Sequence, residues 1–167
     1  SGELDAVLLA TAGLARLGRT ASITERLPLD DFPTAPGQGA LAIETRDDWD
    51  LDGLAALDDA ATRAAVDAER AVLNALDAGC SAPVAVTARV DAGALHVRAV
   101  VYGVDALAAA EGSIELGDPD EVRARSLAVA AGERSRLEYA PTRLALQLAE
   151  ELFAQGAGEF IGAGRLP

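Results

Sequence analysis

Two kinds of apolar pattern alternate along the chain. Asp5-Ala6-Val7-Leu8-Leu9-Ala10 and Ala40-Leu41-Ala42-Ile43-Glu44 are nearly unbroken apolar runs. Runs of this kind predict short strands buried on both faces, as in a parallel sheet. From Val84 the pattern becomes a strict alternation. Val84, Val86, Ala88 and Val90 are interleaved with Ala85, Thr87 and Arg89, and Leu95, Val97, Ala99 and Val101 with His96, Arg98 and Tyr102. Each segment predicts a strand with one apolar face. Asp91-Ala92-Gly93 supplies the hairpin turn between them, and a weaker third strand is expected between Leu107 and Leu116.

Helical patterns fill the intervals. Thr11–Leu17 predicts a short helix stopped by Gly18. Asp58 or Asp59 caps a helix running to about Ala78, with Ala65, Ala68, Val72 and Leu76 on one stripe, Val66 and Leu73 beside it, and Gly79 at the C-terminal cap. Asp118-Pro119-Asp120-Glu121 is a helix start with a cap, a proline at the first position and an acid at the third. Pro141 opens the last long helix, whose Leu144, Leu148 and Leu152 repeat toward Gly156. Leu27–Gly39, rich in Pro, Gly and Asp, reads as a crossing segment, and Thr45–Asp59 as polar surface.

The expected architecture combines two classes. An α/β strand–helix segment comes first. A small α+β domain follows, with a three-stranded antiparallel sheet and helices on one face. A buried parallel strand needs neighbours and nothing precedes the first one, so the sequence is expected to begin mid-sheet, as part of a longer polypeptide.

Composition narrows the function. The 167 residues carry a formal net charge of −13, a field that repels nucleic acid and anionic lipid. Half the residues are apolar, yet no apolar run approaches the roughly 18 residues of a membrane span. Every basic side chain except His96 is an arginine, suited to forked binding of carboxylates. One Cys and one His exclude an intramolecular disulfide and a Cys/His zinc site, and no metal is expected; a single thiol suits a reducing cytoplasm.

The single thiol, Cys80, sits in Ala78-Gly79-Cys80-Ser81-Ala82-Pro83, between a helix end and a strand start. A lone Cys is more often a small buried hydrophobe, but this one lies on a glycine-flanked loop. A helix C-terminus does not lower a thiol pKa, so a protease-type thiolate is a poor reading. Pro36-Gly37-Gln38-Gly39 is a glycine-rich turn ahead of a predicted strand and lacks the dinucleotide fingerprint. Arg16 ends the first helix; Arg89, His96 and Arg98 read as surface residues on the polar strand faces.

Together these segments resemble the hydroxymethylbilane synthase (porphobilinogen deaminase) family. Leu4–Gly18 is similar to its strand–helix segment, Ala35–Glu44 to a signature stretch, and Ala68–Leu73 with Gly79–Ala85 to its cofactor-attachment segment. The likeness is close from Glu3 to about Tyr102 and looser beyond, Val104–Ser135 departing most. The resemblance implies residues 1–33 as the end of a second, periplasmic-binding-protein-like α/β domain, 34–57 as a return to the first domain with a linker, and 58–167 as the C-terminal cofactor-anchoring domain. It implies a cytoplasmic, monomeric transferase that condenses porphobilinogen into linear hydroxymethylbilane with loss of ammonia, primed on a dipyrromethane. It makes Cys80 the thioether anchor, Arg16 a carboxylate-binding arginine, Gln38 and Gly39 cleft residues, and Leu9, Ala10 and Gly13 contacts through their backbones. The family's catalytic Asp belongs to a part this sequence does not contain, so the chain alone is expected to be inactive. A non-enzymatic anion- or solute-binding module of periplasmic-binding-protein-like fold, and an interaction domain without ligand, are the alternatives.

Overall fold

The computed structural model describes residues 2, 4–46, 48, 53–79, 81–132 and 134–163. The chain divides into two compact units, the first ending at Phe32 and the second starting at Pro33.

In the first unit, α1 (Thr11–Arg16) ends as its sequence dictates. Gly18 adopts φ +67°, and the N–H of Arg19 reaches back to the C=O of Leu14 at 2.8 Å, closing the last turn. A single turn of 3-10 helix follows at Thr20–Ser22. Asp5–Ala10 departs from expectation: it forms no strand, and Leu8 and Leu9 are exposed. A strand exists only with a partner for its N–H and C=O groups, and none of the described residues pairs with this segment. The same holds in the second unit for Ala40–Glu44, where Leu41 and Ile43 are exposed.

The second unit is built on an antiparallel sheet in the order β1 (Val84–Asp91), β2 (Ala94–Tyr102), β3 (Leu107–Glu115). The alternation sets the register, Val86 pairing with Ala99 and Ala99 in turn with Ala110, so that one face is a continuous apolar surface. Ala92 and Gly93, at φ +48° and +83°, make the tight turn between β1 and β2.

Three helices cover that face: α2 (Ala60–Ala75), α4 (Ala140–Ala154) and α5 (Ala157–Ala163). Val72 and Leu76, then Leu144, Leu148 and Leu152, meet Val86, Leu95, Val97 and Val101 in one core. The remaining helix, α3 (Pro119–Ala130), packs against α2 instead. Asp58 joins them, pairing with Arg63 at 2.7 Å and Arg123 at 3.0 Å. The caps follow the sequence, Asp59 accepting from the N–H of Thr62 and Asp118 from those of Asp120 and Glu121. The C-terminal end of α2 differs from expectation. Asp77, not Gly79, takes the left-handed conformation at φ +49°, with the N–H of Ala78 bonded to the C=O of Leu73. The helix therefore ends at Ala75, about three residues earlier than expected, and leaves a longer loop before β1.

Candidate functional site

The sequence-predicted residues fall in both units. In the first, Leu9 and Ala10 lead into α1, whose first turn is closed by the N–H of Gly13 donating to the C=O of Ala10 at 3.0 Å. Arg16 stands on the last turn of the same helix, with its side chain exposed. Nothing lies within 4 Å of where a Cβ on Gly13 would sit, so its backbone is open to close approach.

In the second unit, the Pro36–Gly39 turn lies beside the outer edge of β1. The strand's N–H groups on that edge need acceptors. Val86 donates to the C=O of Thr34 at 3.0 Å. Two residues on, Ala88 donates not to backbone but to Oε1 of Glu69 at 2.8 Å. Oε2 of the same carboxylate accepts from the N–H of Gly37 at 2.6 Å. Pro36 can donate nothing and Gly37 turns at φ +79°, so the segment leaves the strand edge at this point and the Glu69 side chain bridges the gap. Gln38 and Gly39 follow, both exposed, Gly39 at φ +87° with open space around its Cα.

Glu69 is buried, at 8% exposure. Burial raises its pKa above the ordinary glutamate value, while the two N–H donors and the neighbouring Arg70 pull the other way. Sequence reading missed it. The available signal was its position: it stands four residues after Ala65 and three before Val72, an acid on the apolar stripe of α2.

The helix that carries Glu69 also leads into the loop of the single thiol. Cys80 itself lies outside the described residues. On either side of it, the C=O of Gly79 accepts from the N–H of Ala82 at 3.0 Å, and Pro83 passes the chain to β1 through the N–H of Tyr102 at 2.9 Å. Arg89 is exposed, as expected of a polar strand face, whereas His96 and Arg98 are half-buried.

Elsewhere, Tyr139 and Ser126 both donate to Oδ2 of Asp67, at 3.0 and 2.6 Å, fastening α3 and the start of α4 to α2. A cavity of about 190 Å³ opens beside Tyr139, lined by Arg125, Val129, Arg134 and Glu138, and none of the sequence-predicted residues borders it. Among the described residues no group of His, Cys, Asp and Glu could hold a metal ion, and no helix is long and apolar enough to cross a membrane.

Comparison with known proteins finds two matches to one family, in order along the chain. Residues 1–51 match "Porphobilinogen deaminase, dipyromethane cofactor binding domain" and residues 63–136 match "Porphobilinogen deaminase, C-terminal domain". The porphobilinogen deaminase of Leifsonia xyli subsp. xyli is 48% identical over 143 residues, 80% of this chain and 43% of that protein. That of Nocardia farcinica is 44% identical over 177 residues, 99% of this chain and 49% of the relative. That of Mycobacterium marinum is 43% identical over 175 residues, the whole of this chain and 51% of the relative. The chain spans about half the length of the curated relatives it matches.

Proposed function

The chain belongs to the porphobilinogen deaminase family, and from that premise we propose that it forms the C-terminal, cofactor-anchoring part of a hydroxymethylbilane synthase. The whole enzyme is then a transferase that couples four porphobilinogen units head to tail into linear hydroxymethylbilane, releasing ammonia at each coupling. In this reading residues 1–33 close the second domain, residues 34–57 return to the first, and residues 58–167 anchor the cofactor.

One observation carries the reading. The two motif-bearing segments of the second unit hang on the same helix: α2 fastens the Pro36–Gly39 turn through Glu69 and runs out into the Gly79–Pro83 loop. A single rigid element thus supports both a ligand-approachable turn and the loop that contains the only thiol.

The residues present suit a dipyrromethane. Such a group is a polycarboxylate with an electron-poor methylene carbon at its attachment point, and bound it supplies a tethered pyrrole to which further units are added. Sulfur is a soft nucleophile, and Cys80 would hold the group by a carbon–sulfur bond, formed as the methylene's carbon–nitrogen bond breaks and ammonia leaves with the thiol proton. Arg16 would receive carboxylates in a charge-assisted fork, each bond contributing roughly 1.5–3 kcal/mol. The open backbone at Gly13 and Gly39 allows a flat ligand to approach without meeting a Cβ. Leu9 and Ala10 would contribute backbone contacts and Gln38 its amide. By the family resemblance, the acid that would handle protons at the pyrrole nitrogens lies outside this chain.

The test uses the full-length parent protein. Intact mass and the aldehyde colour reaction for pyrroles should show a dipyrromethane adduct that Cys80→Ser abolishes together with turnover. A Cys80→Ser parent that still assembled tetrapyrrole at the normal rate would overturn the assignment. The isolated 167-residue chain should show no steady-state consumption of porphobilinogen.

A further inference from the structure

We infer that Glu69 is a positioning residue that fixes the Pro36–Gly39 turn, and with it Gln38 and Gly39, against the helix leading to the Cys80 loop. This rests on the proposed role of Gln38 and Gly39 as cleft residues.

The inference starts from geometry. Glu69 is the only buried carboxylate among the described residues. Its two oxygens are divided between two parts of the chain, which among the described residues are also joined here by the backbone bond from Val86 to Thr34. Within the turn, one backbone bond holds Gln38, its N–H donating to the C=O of Ala35 at 3.2 Å. Gly37 and Gly39 are both at positive φ, and each has wide backbone freedom when untied. A charge-assisted bond of 2.6 Å to the N–H of Gly37 removes that freedom one residue before Gln38.

Only a carboxylate of this length meets the demand. Both incoming groups are N–H donors, so both side-chain oxygens must accept. A glutamine offers one oxygen and sets its NH2 against the other donor. An aspartate keeps the charge but is one methylene too short to span both segments. The Cβ position of Gly37 lies 4.0 Å from Nε of Arg70, which places the nearest guanidinium over the turn as the carboxylate's counter-charge.

The first measurement needs no substitution. In the isotope-labelled chain, the amide proton shifts of Gly37 and Ala88 should follow one common carboxylate titration, with Arg70 as the charged neighbour. Independent behaviour of the two amides would overturn the inference. In Glu69→Gln and Glu69→Asp, hydrogen exchange at Gly37 should speed up about tenfold or more while Val97 in the central strand is unchanged. Unchanged protection at Gly37 would equally overturn it.

The positioning role is read in the parent enzyme. Glu69→Asp should raise the KM for porphobilinogen about tenfold with kcat within about twofold. If exchange at Gly37 opens but KM holds, Glu69 is structural only and the inference fails. Failure of the cleft reading itself is seen separately, as normal KM in Gln38→Ala with wild-type exchange at Gly37.

Discussion

Gln155 binds Ala109 through both ends of its side-chain amide: the N–H of Ala109 donates to Oε1 at 3.0 Å, and Nε2 donates to the C=O of Ala109 at 2.9 Å. Ala109 is on β3, the far edge of the sheet, so the side chain stands where a fourth strand would pair. The pair is exposed, and two exposed neutral bonds contribute about 0.5–1.5 kcal/mol each at most. Gln155→Ala should lower stability by about 1 kcal/mol. Gln155→Glu should cost more, because it sets an oxygen against the C=O of Ala109. Urea midpoints of the two variants rank them; equal midpoints would show that the amide does not close the edge.

Gly112 on β3 packs closely against α4. A Cβ there would lie 2.9 Å from Cδ1 of Leu144 and 3.4 Å from Cδ2 of Leu148. Leucine tips can rotate, but Leu144 and Leu148 are 4% and 1% exposed and packed on all sides. Gly112→Val should therefore cost about 1–3 kcal/mol despite valine's preference for strands. A thermal melt at or above wild type would show the core to be looser than this packing implies.

What could be read in advance was what is local. The hairpin at Asp91–Gly93, the caps at Asp59 and Asp118 and the start of α4 at Pro141 each depend on residues within one turn of the chain. The strands expected at Asp5–Ala10 and Ala40–Glu44 depend on a distant partner, and hydrophobic runs do not say where that partner is. The short α5 was missed because four of the seven residues of Ala157–Ala163 are glycine or alanine, which leaves little periodicity. Of the site, the sequence yielded the Pro36–Gly39 turn but not its tether. Glu69 acts on backbone N–H groups 19 and 32 residues away, and backbone donors carry no sequence signature.

Asp59 caps α2 through the N–H of Thr62 at 2.7 Å, and hydrogen bonding from the Thr62 side chain first, then from this N–H, lowers its pKa. A carboxylate with a depressed folded pKa contributes stability that is present above its unfolded value of 3.8 and lost as pH falls through the folded one. Asp59→Ala should cost about 1 kcal/mol at pH 7, the usual worth of such a cap, and Asp59→Asn only a few tenths. Once pH has fallen below the folded pKa, the wild-type and Asp59→Asn proteins should converge. Denaturation at pH 7 and at a series of acid pH values checks this; a gap that never narrows in acid would mean the aspartate acts by something other than its charge.

Tyr139 is the alkaline counterpart. Its ring is 3% exposed and its hydroxyl donates to a carboxylate already held by Ser126. Burial first, and the negative charge of Asp67 second, push the phenol's pKa well above its ordinary 10.0. Ionisation would bring a second anion beside Asp67 and remove the proton that binds it. Because the folded pKa is the higher one, the stability Tyr139 contributes is complete below pH 10 and is lost as pH rises toward the folded value. The wild-type protein should lose up to about 1.4 kcal/mol per pH unit above pH 10 from this residue alone. Tyr139→Phe removes one bond to a charged acceptor, so it should be less stable at pH 7 by about 1.5–3 kcal/mol and should lack that alkaline slope. Ser126→Ala leaves the phenol in place and should keep the slope. Because both donors share Oδ2 of Asp67, the double variant should cost less than the sum of the two single ones. Urea titrations at pH 7, 10 and 11 separate these outcomes, and parallel alkaline slopes in wild type and Tyr139→Phe would remove Tyr139 as their source.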